Sequence, residues 1–284
     1  MKTNSINLYP LGKLKDEIPS ITGEELIAKV KENPDWAQTL TEPLRITTVP
    51  DFKNSPIRHL SEHLIFEAVD KEGRSATFTE GNPIFVLQGK FLGYVNGELS
   101  RISSVKNFES GRNSMGDSLN LTGTNVRSIE GIAHGYVSVA GTPITNQGLS
   151  GLTITQPDKF GNALSAHLCK ELKCLTNFSA PGHIDLNESN VAEIENVTID
   201  LDPEFTGKTT YISVCGTPFE KENPIEAAEL LFNSKDPNVW IEMKETIILE
   251  AEQSLMVTHA LNLSKLKGTV KTPGNQNLGQ DLMI

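Results

Sequence analysis

The 284-residue sequence predicts a mainly β protein of sandwich or barrel type, built as one body or as two related β modules, with two or three short helices and extended terminal arms. Three observations predict this. Short runs rich in β-branched and aromatic residues recur along the chain, set off by Pro, Gly and Asn-Gly. Few stretches carry a helix start and stop. Residues 1–20 and 262–284 mix Asn, Pro, Lys and other polar residues with no sustained period, so they read as arms. Between them, 21–125 reads as a helix plus a first β region and 126–261 as a second β region with one inserted helix.

Thr22 opens the first helix, with Glu25 three residues on to complete a capping box, and Ile21 and Leu26 placed as a hydrophobic staple. Asn33-Pro34 stops it, and a short turn of helix is expected at Trp36. LRITTV (Leu44–Val49) is β-branched between two prolines. HLIFEAV, a turn over Asp70–Gly73 and RSATFT read as one hairpin. IFVLQGKFLGYV, Asn96-Gly97 and ELSRIS read as another, because Asn-Gly suits a turn with two positive-φ residues. Asn107–Thr124 is polar and glycine-rich, and reads as a long loop. Further strands are expected at 135–140, 152–155, 197–201, 209–215 and 239–249. A helix capped by Asn223, with Pro224 at its first position, precedes the last of these.

Tyr136–Ile144 (YVSVAGTPI) is echoed at Tyr211–Phe219 (YISVCGTPF), with six of nine positions identical. Gly-Thr-Pro ends strand pairing, since proline cannot donate to a ladder. The echo marks either a duplicated β module or two strands that share an exit turn. Downstream of the first copy, GTPITNQGLSGLTITQPDKFGNALSA resembles the closing strands of bacterial and phage immunoglobulin-like modules, with their Gly-Thr-Pro and Asp-x-x-Gly-Asn turns. That resemblance implies a sandwich and no catalytic residue.

Composition narrows the function classes. Net charge is −11 and the sequence pI is near 5.1, which argues against coating nucleic acid. No apolar run approaches a bilayer span, and no apolar leader segment precedes Lys15, so neither membrane insertion nor a secretory signal is expected. Cys169, Cys174 and Cys215 are too few and odd in number for a disulfide framework, and read as reduced structural thiols.

Two motifs bear on chemistry. His59-Leu-Ser-Glu62-His63 matches H-x-x-E-H and resembles the inverted zinc metallopeptidases, in which two histidines one helical turn apart bind zinc beside a glutamate base. The motif requires a helix, and this segment runs into strand-like HLIFEAV. Gly116-Asp117-Ser118-Leu119 resembles the signature of the GDSL esterases, but no Asp-x-x-His follows to supply the base. Neither a Walker phosphate loop nor a dinucleotide fingerprint is present.

The sequence therefore predicts a structural, self-assembling protein with no catalytic site and no cofactor. Its profile resembles tail and capsid-associated proteins of tailed-phage particles. The expected partners are copies of itself exchanging arms, together with other particle proteins; no sequence-specific nucleic acid and no membrane is expected. The expected location is the cytoplasm at synthesis and then the virion. The alternatives are a metal-dependent hydrolase built on His59, Glu62 and His63, and a β-sandwich module that binds sugars or proteins through Asn107–Thr124.

Overall fold

A computed structural model describes residues 8–9, 14–199, 212–224 and 226–227. Every strand pairing among them is parallel. The first seven-stranded sheet contains β1 (Ser20–Ile21), β2 (Leu44–Ile46), β3 (Leu64–Phe66), β5 (Val86–Phe91), β7 (Ser104–Ser110), β9 (Ser128–Ala133) and β11 (Gly151–Ile154), in that order. The second contains β4 (Arg74–Thr77), β6 (Tyr94–Asn96), β8 (Asp117–Asn120), β10 (Tyr136–Ser138), β12 (Asn162–Ser165), β15 (His183–Asp185) and β18 (Ile212–Ser213). Two small sheets pair β13 (Cys174–Thr176) with β16 (Glu193–Glu195) and β14 (Ser179–Ala180) with β17 (Thr198–Ile199). From β3 to β12 the chain alternates between the two large sheets, so neighbours in a sheet are successive coils. The molecule is a β-solenoid of about eight turns.

This corrects the expected sandwich or barrel. Neither expected hairpin forms: β3 and β4 lie in different sheets, the expected first strand of the second hairpin is split into β5 and β6 in different sheets, and ELSRIS, its expected partner, is not a strand. Asn96-Gly97 is a solenoid corner, where the Gly97 amide donates to the Asn120 carbonyl of the next coil at 2.8 Å. Local turn chemistry is the same in a hairpin and a corner. What differs is the partner of the following strand, which sequence pattern does not encode. The expected loop Asn107–Thr124 contains the end of β7, all of β8 and two corners.

The core is a set of columns running along the stacking axis. Ala76, Val95, Leu119, Val137, Leu164, Ile184 and Ile212 stand in register through successive rungs, and all are buried. In the first sheet Phe66 and Phe91 are direct partners, with rings stacked at 4.5 Å. From β6 onward each coil leaves the second sheet through one kind of turn. Its third residue takes positive φ: Leu99, Gly123, Gly141, Leu168, Glu188 and Gly216. The next residue is small and buried: Ser100, Thr124, Thr142, Cys169, Ser189 and Thr217. Four of these return a hydroxyl bond to the carbonyl three residues back. The Val-x-Gly-Thr-Pro echo is thus explained as two copies of a corner that six successive coils use, three coils apart. Asp158-Lys-Phe-Gly161-Asn162, read as an immunoglobulin-like turn, is also a solenoid corner.

The corners entering the second sheet alternate in length. The long ones are Asp70–Arg74, Asn113–Asp117 and Asp158–Asn162. In each, the first side chain accepts from two backbone amides, and it pairs with the fifth side chain. The short ones turn on Gly93, Gly135 and Gly182. An added Cβ at these glycines would lie 2.3, 2.1 and 2.4 Å from the carbonyl oxygens of Gly73, Gly116 and Gly161. The structural repeat is therefore two coils, long then short.

Helix α1 (Gly23–Glu32) forms as expected, capped by Thr22 and Glu25, and buries Leu26 and Val30. A 3-10 turn over Trp36–Thr39 follows. Segment 48–57 lies over the first coil: Phe52 stacks on Phe78 at 4.7 Å, and Asn82 donates to the Phe52 carbonyl. The segment thereby covers the first coil of the second sheet around Phe78 and Asn82. Helix α2 (Asn146–Leu149) sits within a later coil. Helix α3 (Pro218–Glu222) is capped by Thr217 and ends at Asn223; residues 224 and 226–227 are helical after it, and the Ala227 amide donates to the Asn223 carbonyl at 2.9 Å, so a helix begins at Pro224 as expected. Most of the helix expected after Asn223, the strand at 239–249 and the arm at 262–284 lie outside the described residues. Of the first arm, Leu8 and Ile18 pack on Ile65 of the same chain, and the Tyr9 hydroxyl donates to Glu67 at 2.7 Å. Among the described residues no helix is long and apolar enough to cross a membrane.

Candidate ligand groove

The outer face of the second sheet is set by the residues between the buried columns. Register pairs Arg74 with Tyr94, Asp117 with Tyr136 and Asn162 with His183, each pair at the start of its strands, and sheet order stacks the three pairs along one outward column. The alternation of corners gives this column its pattern. Short coils deliver a ring straight after the glycine (Tyr94, Tyr136, His183), whereas long coils deliver Arg74, Asp117 or Asn162. A second column, Thr77, Asn96, Asn120, Ser138, Ser165, Asp185 and Ser213, is polar throughout.

An open groove of about 280 Å³ lies on this face over β8. Tyr94 and Tyr136 line it from the flanking coils, with Asp117, Asn120, Thr122 and Ser138 between them. The polar groups are held by local bonds. Asn113 donates to an Asp117 oxygen at 2.9 Å, and the Thr122 and Ser138 hydroxyls lie 2.7 Å apart. Burial pushes the Tyr94 phenol up to about 12, a hydrogen bond with Asn120 opposes this, and the nearby Asp117 carboxylate adds to it. Burial also raises Tyr136, against hydrogen bonds with Ser165 and Ser138. Both phenols keep their protons at neutral pH, so the groove presents neutral O–H and amide donors beside one carboxylate.

A second cluster lies on the outer face of the first sheet. His134 Nε2 is 3.0 Å from Glu109 Oε1, and its Nδ1 is 2.9 Å from Thr155 Oγ1. Lys90 Nζ pairs with the other Glu109 oxygen at 3.3 Å. The bond from His134, and after it the Lys90 charge, lowers Glu109 although burial opposes. Hydroxyl, imidazole and carboxylate are thus in the order nucleophilic catalysis uses. The adjacent amides of His134 and Thr155, however, are bound to the carbonyls of Ser110 and Ala133, so they offer no oxyanion donors. The cluster ties neighbouring coils together.

The sequence-predicted motifs fall elsewhere. His59, Glu62 and His63 do not form a helix: His59 makes a lone bridge to Val86, and Glu62 and His63 sit in the turn before β3. His59 Nδ1 is 2.8 Å from Gln38 Nε2 and 3.6 Å from Asp35 Oδ1. The one-turn spacing of the metallopeptidases is not made. Ser118 is fully buried, and its hydroxyl lies 2.7 Å from both Ser110 Oγ and the Gly111 carbonyl, out of reach of any base. Cys169 is buried with its thiol on the Val139 carbonyl, and burial raises its pKa. Part of the expected contact stretch, Asp117, Asn120 and Thr122, does reach the groove, but as β8 and its exit rather than as a loop. Tyr94 and Tyr136 are brought to it by the solenoid. The signal that could have found them is Gly-[Tyr/Tyr/His] followed by Val or Ile and Asn, Ser or Asp, recurring at Gly93, Gly135 and Gly182.

Compared with family models, curated proteins and solved structures, the chain matches none.

Proposed function

We propose that the chain is a non-enzymatic structural protein, a rigid solenoid rod that associates with copies of itself. The observation that supports it most is the spending of functional side chains on coil-to-coil ladders. Cys169, Glu109 and His134 are each engaged in holding one coil to another, and Ser118 bonds across its own coil to Gly111. Stacked parallel coils form a stiff rod whose stability grows with nearest-neighbour contacts. Segment 48–57 covers the first coil of the second sheet, and association in this proposal uses the far end, the lateral faces and the arms. The described part of the first arm lies on its own coil, so arm exchange in this proposal falls mainly to the C-terminal arm, residues 262–284. A place in a viral particle is a narrower form of the proposal, supported only by the acidic, arm-flanked sequence profile.

Sedimentation velocity on the full chain, beside a variant ending at residue 261, tests it. Discrete oligomers that dissociate when the arm is removed support the proposal. A monomer at all concentrations, indifferent to the arm, overturns it.

A further inference from the structure

The geometry points to the outer face of the second sheet as a binding site for a linear, neutral polysaccharide lying along the stacking axis. The inference goes beyond the structural role and does not depend on self-association.

It rests first on spacing. Adjacent rungs stand about 4.8 Å apart, so the rings of Tyr94 and Tyr136, on coils two steps apart, recur at about 10 Å. That is close to the length of a disaccharide. Sheet order puts Asp117 on the coil between them, as the direct partner of Tyr136, and Asn162 on the coil between Tyr136 and His183. The two-coil repeat thus produces ring, polar gap, ring, polar gap, ring. An extended glycan can set every second sugar against a ring and its hydroxyls against the groups between.

The second support is chemistry. Tyr94 and Tyr136 line an existing groove, and Asn120, Thr122 and Ser138 supply amide and hydroxyl partners of the kind sugar hydroxyls take. Amphipathic rings give contact area at small entropic cost. The third support is charge. No Lys or Arg lines the groove and Asp117 does, so phosphates, nucleic acid and acidic glycans are disfavoured. A peptide strand is disfavoured too, because the strands that line the groove, β6, β8 and β10, bond to the coils on both sides and offer no free ladder.

Calorimetry on the full chain tests it, with hexasaccharides and disaccharides of neutral glucan, mannan, galactan and chitin as probes and an oligogalacturonate as the acidic comparison. At least one neutral hexasaccharide is expected to bind with a Kd below about 1 mM, and at least about tenfold tighter than its disaccharide. Tyr94→Ala and Tyr136→Ala are each expected to weaken it about tenfold, Tyr136→Phe much less, and Thr153→Ala, on the other sheet, not at all. Circular dichroism checks that each variant is folded. Binding by none of the neutral probes overturns the inference. So does affinity that ignores both tyrosine variants, or binding of the acidic oligomer alone.

Discussion

Replacing Gly135 with alanine should do far more damage than replacing Gly141, six residues later. A Cβ at Gly135 would lie 2.1 Å from the Gly116 carbonyl oxygen of the preceding coil. An ordinary carbon–oxygen contact is about 3.3 Å, so the two corners must part by about 1 Å. The same carbonyl accepts the Tyr136 amide at 2.9 Å, and that bond does not survive such a separation. Losing it costs about 1 kcal/mol, and leaving its buried donor and acceptor unpaired about 1–3 kcal/mol more, so roughly 2–4 kcal/mol is expected. Gly141 has positive φ but nothing within 4 Å of its added Cβ, and Leu99, Leu168 and Glu188 occupy the equivalent position without glycine. Gly141→Ala should cost only about 1 kcal/mol. Urea unfolding followed by circular dichroism, with hydrogen exchange at the Tyr136 amide, measures both. Equal losses in the two variants, or full protection of that amide in Gly135→Ala, would refute the stacking of short on long corners.

Three further outcomes are expected. Because Glu109 is depressed in the folded chain, its contribution is present above the unfolded carboxylate value of about 4.3 and is lost as pH falls through the lower folded value. The acid limb of the stability profile should therefore be shallower in Glu109→Gln than in the parent. Ser189 Oγ is buried with no partner, whereas Thr142 Oγ1 donates to the Val139 carbonyl at 2.7 Å. Ser189→Ala should be neutral or stabilising and Thr142→Ala should cost about 1 kcal/mol, read from unfolding midpoints. Glu67 gathers Tyr9, Lys15 and Arg45, so Glu67→Ala should release the first arm and speed tryptic cleavage after Lys15 several-fold.

Local features of the chain were legible in its sequence. The Thr22–Glu25 box, the stop at Asn33-Pro34 and half of the strands, among them β2 to β6 and β10, follow from short-range chemistry, and the structure has them where that chemistry puts them. Pairing was not legible, because hairpin and solenoid share the same corner residues and differ in which strand comes alongside. Unequal coils also hid the repeat. Leu119 to Val137 spans 18 residues (137 − 119), but Ile184 to Ile212 spans 28 (212 − 184), so no single period stands out. The long and short corners, compared separately, recur more regularly: Gly73, Gly116 and Gly161 for one, Gly93, Gly135 and Gly182 for the other. The ligand groove was illegible for the same reason. Its two tyrosines lie 42 positions apart (136 − 94) and meet only because two coils separate them.

Thiol bridging between rungs tests the parallel register on which the whole account rests. Asn120 and Ser138 are direct partners on adjacent coils, while Asn120 and Ser165 are two coils apart. With Cys215 replaced by serine, the pair Asn120→Cys and Ser138→Cys should be bridged rapidly within one chain by dibromobimane, which fluoresces when it links two thiols. The pair Asn120→Cys and Ser165→Cys, about 10 Å apart, should not be. Bridging of the second pair in preference to the first would contradict the solenoid.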